Sequence, residues 1–455
     1  MNTVTFEISA GIIAFIAATV LLAMRGPSLY FGLTVLCVFM VSSASLAGYI
    51  FDFVFGQPMI WLTPAHISVI QYSIMGCLAM LGGIAAAWLP RREGELRSTS
   101  GRVDLAKTPW LNARFGWFVF GVGTVALCAE LVTHNIATLG TAVHALAGFS
   151  TFGLLTLFAL SLQERRFVII GAALMFYVPA VLVQSFASGH TPARVELIVP
   201  AACLAVGFRR VTPKSAILLG VLGFILLAAM AGWLQTRKMI RSGLLANLTF
   251  TEQVERFIPA WFDAALDSAT DATTASNAIR ERVDMTNILS MQVRHQPRVQ
   301  PYAMGQTVLD SGYTLIPRAF WPGKPVVAGG SAFVTRYTGM RRDPRDKTSI
   351  GLPYQFELYA NGGPICVVVG LLIVGYVCGR LERGLFLPTS SLPSLLGRVS
   401  ITMTLCEGGQ RTDVVLPSLI AGGLTYYALG KFIESASPEL AAKLLGTSQK
   451  QPRPA

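Results

Sequence analysis

The sequence predicts an all-α polytopic membrane protein with about 11 spanning helices and one large polar loop, on three observations. Hydrophobic residues make up 53% of the 455 and charged residues only 13%, whereas a soluble domain carries about 25% charged residues to solvate its surface. Apolar runs long enough to cross about 30 Å of hydrocarbon recur along the chain, and mean hydropathy is +0.56. Lys and Arg gather in alternate loops, as expected when one side of the membrane retains them.

In order, residues 7–24 form the first run and Arg25 follows it. Residues 30–51 and 67–89 form the second and third, joined by a loop without Lys or Arg. The third is followed by Arg91, Arg92, Arg97, Arg102, Lys107 and Arg114. Residues 115–132 and 142–162 come next, then Arg165 and Arg166. Residues 167–186 and 193–208 precede Arg209, Arg210 and Lys214. Residues 216–234 complete the first eight, so 1–234 reads as one transmembrane unit. A polar loop follows at 235–358. Residues 359–379, 385–406 and 414–433 supply the last three spans, with Arg380 and Arg383 after the ninth, and 434–455 forms a basic tail. The fifth, seventh and tenth are the weakest, being interrupted by polar residues or starting in a turn.

This alternation places the N-terminus and the 235–358 loop outside and the C-terminus in the cytoplasm. No positive run precedes the first apolar stretch, so the first span is expected to be retained. The net charge of +12 then follows from the inside bias and a basic outer loop, without a nucleic-acid partner. The seven cysteines fall in or beside spans, giving neither a disulfide framework nor a CxxC metal site. The five histidines match no metal motif, so neither metal nor cofactor is expected.

Within the outer loop, Val254, Phe257, Ile258, Trp261 and Phe262 recur at helical spacing over 251–267. Ile279, Val283, Ile288 and Met291 repeat the pattern over 276–293. Packing accounts for both stripes; lying on the membrane is the alternative. From Gln296 to Gly363 the composition shifts to Pro, Gly, Tyr and Arg, as in an ordered, irregular loop that shapes a cavity.

The order HQPRVQPYAMGQT, SGYTLIPRAFWPGKP, a Gly- and Arg-rich stretch, and PYQFELYANGGP entering a span resembles the Wzy-type oligosaccharide repeat-unit polymerases, or O-antigen polymerases. Two shorter places add to it: SGHTPARVELIVP, where Arg194 opens a span, and GGQRTDVV, where Arg411 and Asp413 begin the last one. The resemblance implies a GT-C-like glycosyltransferase bundle at the periplasmic face of the bacterial inner membrane. Its donor and acceptor would be undecaprenyl-diphosphate-linked oligosaccharides in the lipid bilayer, with a flippase and a chain-length regulator as further partners. Neither nucleotide sugar nor cofactor is implied.

The residues suit that chemistry when read by themselves. Breaking a glycosyl diphosphate bond builds negative charge on the leaving group, which fixed cations stabilise. Arginine holds two phosphate oxygens at once. Arg194 and Arg411 are the lone bases of otherwise neutral outer loops, and Arg318 and Lys324 are held among Pro317, Pro322 and Pro325. Snorkelling to headgroups is the plain alternative for Arg194 and Arg411, and tying the loop together for Arg318. The run Arg336, Arg341, Arg342, Arg345 and Lys347, with Asp343 and Asp346, reads more simply as a solvated loop.

A carboxylate or imidazole is needed if the acceptor hydroxyl is deprotonated. Glu357 at the entrance to the ninth span is the first candidate, with Asp310, His295 and Asp413 as rivals. Glu130 and His134, four apart, share a helical face and either line the cavity or satisfy each other. Trp321 and Tyr359, with Tyr302, Tyr313 and Tyr354, are candidate sugar-stacking residues, although Trp and Tyr also favour the headgroup level. An O-antigen ligase shares the loop and the arginines, so only its acceptor differs. A flippase predicts internal repeats and broken helices at mid-membrane, and no repeat is found.

Overall fold

Helices carry all the regular structure among the described residues of the computed structural model, which are 3–25, 32–54, 62–88, 111–133, 137–188, 201, 228, 231–236, 239, 250–270, 284–316, 321, 323–324, 330–340, 352–386, 391–406 and 412–446. In chain order they are α1 (Thr3–Arg25), α2 (Gly32–Val54), α3 (Pro64–Trp88), α4 (Ala113–Thr133), α5 (Ala137–Glu164), α6 (Val168–Ser188), α7 (Phe250–Thr270), α8 (Thr286–His295), α9 (Gln306–Thr314), α10 (Gly330–Thr338), α11 (Tyr354–Phe386), α12 (Leu392–Cys406), α13 (Thr412–Ala436) and α14 (Pro438–Leu444).

Among the described residues, four helical stretches are long and apolar enough to cross a membrane: Pro64–Trp88, Ala113–Glu130, Leu146–Glu164 and Tyr354–Leu385. They coincide with the third, fourth, fifth and ninth expected runs. Shorter apolar stretches, Glu7–Ala18, Cys37–Leu46 and Val168–Gln184, match the first, second and sixth. Residues 193–208 lie outside the described residues except Ala201, as does most of 216–234. The tenth run starts later than expected. Residues 385–386 still belong to α11, and α12 resumes at Leu392, where the Glu434 carboxylate accepts from the Leu392 amide at 2.9 Å. At 15 residues, α12 is about 22 Å long at 1.5 Å per residue. The amphipathic helix expected at 251–267 is α7. Of that expected at 276–293, the described part is α8.

The bundle is built on parallel packing of α3 against α11. A Cβ on Gly83 would lie 2.1 Å from the Leu372 carbonyl oxygen, and one on Gly375 would lie 2.2 Å from that of Met80. Two backbones therefore touch where a side chain would hold them apart, as small residues allow between apolar helices. The α4–α5 pair uses the same device, with Gly123 against Ser150 and Gly153 against Phe120. A third pair, α12–α13, completes the main packing, with Gly430 against Pro393. The core running through these pairs includes Cys77, Met80, Phe115, Phe149, Val367, Leu371, Leu395 and Tyr426.

One end of the bundle is closed by short polar contacts. Asn112 donates to the Leu444 carbonyl at 3.0 Å and accepts from the Phe115 amide at 2.9 Å, which caps α4. Arg398 donates to the Gly384 carbonyl at 2.6 Å. The other end, where α3 and α11 begin, carries α8 and α9 and the candidate site.

Candidate functional site

The ninth expected run does not start as one straight helix. Residues 354–361 are helical, Gly362 and Gly363 are not, and the helix resumes at Pro364. Pro364 lacks an amide proton and restricts the residue before it, which favours a break here. Gly363 has φ 69 and ψ −155, a conformation essentially reserved for glycine. The Tyr302 hydroxyl fills the space beside it, 2.8 Å from where a Cβ would sit.

A helix that stops leaves its last carbonyls without intrahelical partners. Here the polar loop supplies them. The Ala303 and Met304 amides donate to the carbonyls of Ala360 (2.8 Å) and Asn361 (3.0 Å). Gln296 adds a side-chain donation to the Ala360 carbonyl (3.3 Å), and Gln292, four residues before it, donates to the Phe356 carbonyl one turn further into the helix (2.9 Å). Gln292 is fully buried and Gln296 nearly so.

Under this junction lies a buried carboxylate. The Gly305 amide donates to Asn361 Oδ1 at 2.9 Å, so Asn361 Nδ2 must face the other way. Nδ2 donates to the Glu357 carbonyl (2.8 Å) and to Thr307 Oγ1 (2.7 Å). That bond turns the Thr307 hydroxyl proton toward Glu357, and Oγ1 donates to Glu357 Oε1 at 2.9 Å. Glu357 is 5% exposed. A carboxylate taken out of water is costly unless it is hydrogen-bonded, and this relay provides part of that compensation.

Two further fastenings hold the loop. Gln355 donates to the Val41 carbonyl (2.6 Å) and Ser45 Oγ (3.3 Å) of α2, and the Met285 amide to the Ala44 carbonyl (2.8 Å). At the start of α3, Arg294 donates to Thr63 Oγ1 at 2.7 Å. The Thr63 amide reaches His66 Nδ1 at 3.3 Å, so Nδ1 is an acceptor and Nε2 carries the proton facing Asn287 Oδ1 at 3.0 Å.

The expected site residues divide into two groups. Arg194, Arg318 and Arg411 lie outside the described residues, as do His134, Arg341, Arg342, Asp343, Arg345, Asp346, Lys347 and the side chain of Asp413. Glu357 sits at the centre of the junction. Lys324 donates to the carbonyls of Ile316 (2.8 Å) and Thr314 (3.5 Å), closing the loop onto the end of α9. Trp321 is exposed and meets Tyr313 edge-on at 5.8 Å. Tyr359 is buried among rings, 5.2 Å from Tyr72 and 6.1 Å from Tyr302. Tyr354 donates to the Leu405 carbonyl at 3.1 Å. Asp310 accepts from Gln306 at 2.6 Å, and the ring of His295 packs against Gly339. Arg336 stands 5.4 Å from the Tyr337 ring. Glu130 is bound by Gln184 of α6.

The sequence alone does not single out Thr307, Gln292, Gln296 or Asn361. One signal was available: Gln292 and Gln296, and Thr307 and Ser311, are polar pairs spaced to share a helical face. The arrangement offers a buried proton acceptor, a hydroxyl that orients it, and a rigid loop above it. Among the described residues, no three His, Cys, Asp or Glu side chains gather to hold a metal.

Residues 106–383, over half of the chain, match the family model described as a domain of unknown function, DUF8712. The match spans α4 to most of α11 and includes Thr307, Glu357 and Asn361. No curated protein and no solved structure matches the chain significantly.

Proposed function

We propose that this chain, which belongs to the DUF8712 family, is a multi-pass inner-membrane glycosyltransferase that polymerises undecaprenyl-diphosphate-linked oligosaccharide repeat units at the periplasmic face. The observation that carries the reading is Glu357, a buried carboxylate held by Thr307 where a polar loop is stitched onto the end of an apolar helix. An acid at such a depth is costly to keep and marks a functional position.

In the proposed reaction, a hydroxyl oxygen of the acceptor sugar bonds to the anomeric carbon of the donor. Its proton passes to Glu357. The bond from the anomeric carbon to the diphosphate oxygen breaks, and the electron pair leaves with the lipid diphosphate. Arg194, Arg411 and Arg318 are the proposed cations for that charge. Lys324 lies beside the same loop, and its bonds to the end of α9 make it first a clasp. About 11 spans with an outer N-terminus, the outer 235–358 loop and a cytoplasmic C-terminus complete the proposal, supported by the alternation of basic loops.

A transporter is the second reading, because a broken helix is one of its marks. The position of the break favours the enzyme. The arm beyond it that is free of charge, residues 364–379 before Arg380, is about 24 Å long at 1.5 Å per residue and covers most of the roughly 30 Å of hydrocarbon. The interruption therefore falls toward one end of the crossing and not at its middle.

Deletion followed by analysis of surface glycan separates the readings. Loss of a polymerase leaves a single repeat unit ligated, loss of a ligase leaves full-length chains on undecaprenyl, and loss of a flippase leaves no external units. Glu357→Gln is expected to reproduce the single-unit phenotype at normal protein level. Unchanged polymer length in that variant would remove Glu357 from the mechanism.

A further inference from the structure

Helix α9 is built inside out. Its buried residues are Thr307 and Ser311, small and polar, which face the Glu357 junction and α13. Val308, Leu309 and Tyr313 are exposed, with Leu309 at 67%. At 100° per residue these three fall on one arc of about 140°, and Gln306 and Asp310 form the edge that adjoins it beside Tyr313. A soluble loop helix turns its apolar arc to the protein and its polar residues to water. This one gives a polar arc to protein, a polar edge to solvent, and an apolar arc to something else. The exposed apolar surface extends through Met304 (82%), Ile316 and the Tyr313–Trp321 pair.

The fold fixes how deep this surface lies. Gly305, which begins α9, is bonded to Asn361, and three residues later the apolar arm of α11 starts at Pro364. The helix therefore starts within about one turn of the end of a segment able to cross a bilayer. Further along that arm, Ile365 and Ile373 are also exposed. A nine-residue helix about 13 Å long offers far less than the roughly 800 Å² per partner of a stable protein interface, so a second protein is the poorer occupant. Tyr and Trp at its end are the residues that favour the headgroup level.

We infer that α9 is an interfacial helix: Val308, Leu309 and Tyr313 insert into the bilayer surface, Gln306 and Asp310 face water, and Thr307 and Ser311 close over Glu357. The helix then forms the wall between the lipid phase and the buried carboxylate, whatever reaction that carboxylate serves.

The test uses the full chain in nanodiscs of phosphatidylethanolamine and phosphatidylglycerol, with the exposed Cys128 replaced by Ala and the parent as blank. Nitroxide labels are placed singly at Leu309→Cys, Met304→Cys, Gln306→Cys and Ile373→Cys, and their collision rates with oxygen and a water-soluble nickel chelate are measured. The expected result is a severalfold higher oxygen-to-nickel ratio at positions 309 and 304 than at 306, approaching that at 373. Equal ratios at 309, 304 and 306, with 373 still in lipid, would overturn the inference and leave the spanning reading intact. Low access to both reagents at 309, with spin–spin broadening, would assign the face to a second copy and overturn it equally. A label at 373 open to the nickel reagent would refute the spanning reading and this inference together.

Discussion

Replacing Gly363 by alanine tests the break on which the candidate site is built. The backbone at φ 69 and ψ −155 costs a residue with a Cβ about 1–3 kcal/mol. The new methyl would also sit 2.8 Å from the Tyr302 hydroxyl and 3.1 Å from its ring carbon, and overpacking of that kind costs about 1–3 kcal/mol. Together these make about 4 kcal/mol against loop docking, close to a thousandfold in the opening equilibrium at about 1.4 kcal/mol per tenfold. Trypsin cleavage after the exposed Arg298 reads that equilibrium when opening is fast relative to cutting. Cleavage of Gly363→Ala should rise by two to three orders of magnitude, up to the rate of an undocked loop. In a Tyr302→Ala background the same substitution should cost only its backbone part, leaving a coupling of about 1–3 kcal/mol between the two positions. Cleavage within twofold of the parent, or an unchanged cost in the Tyr302→Ala background, would refute the described geometry.

Three other outcomes follow from the same contacts. Asn361→Asp keeps the bond from the Gly305 amide but loses both amide donations and sets a second carboxylate beside Glu357, so the loop should loosen by about 2–3 kcal/mol in the trypsin assay. Thr307→Val removes the hydroxyl that orients Glu357 and should shorten the glycan, whereas Thr307→Ser should restore it; equal polymer from all three would show that the hydroxyl is idle. Gly83→Ala places a methyl 2.1 Å from a backbone oxygen of α11 and should abolish monodisperse protein on size-exclusion chromatography, while Gly82→Ala, whose Cβ meets only a Leu372 methyl at 3.9 Å, should behave as the parent.

Much of the helical architecture can be read along the chain for a local reason: a segment in an apolar medium must satisfy its backbone within itself, so the length of an apolar run sets the length of a helix. The first six runs and the ninth and eleventh therefore lie where helices are found, and the carboxylate at 357 stands out because an acid heads an apolar run. The boundary near Leu385 was misplaced for an equally local reason. Leu385, Phe386 and Leu387 are apolar although they precede the polar stretch 388–391, so hydropathy averaged over the run joins them to α12, whereas Leu385 and Phe386 belong to α11.

What surrounds Glu357 was not readable in that way. Thr307 lies 50 positions from it in the chain, and the Gln292 bond to Phe356 spans 64. Nor does composition say that the loop at 296–316 would be bonded to a broken helix, or that the apolar arc of α9 would be the side left uncovered. Periodicity gives a helix its faces, but which face meets protein depends on the partner presented to it. Here that partner is a set of unpaired carbonyls and a buried carboxylate, which draw in Thr307, Gln292 and Gln296 because polar groups out of water must find one another.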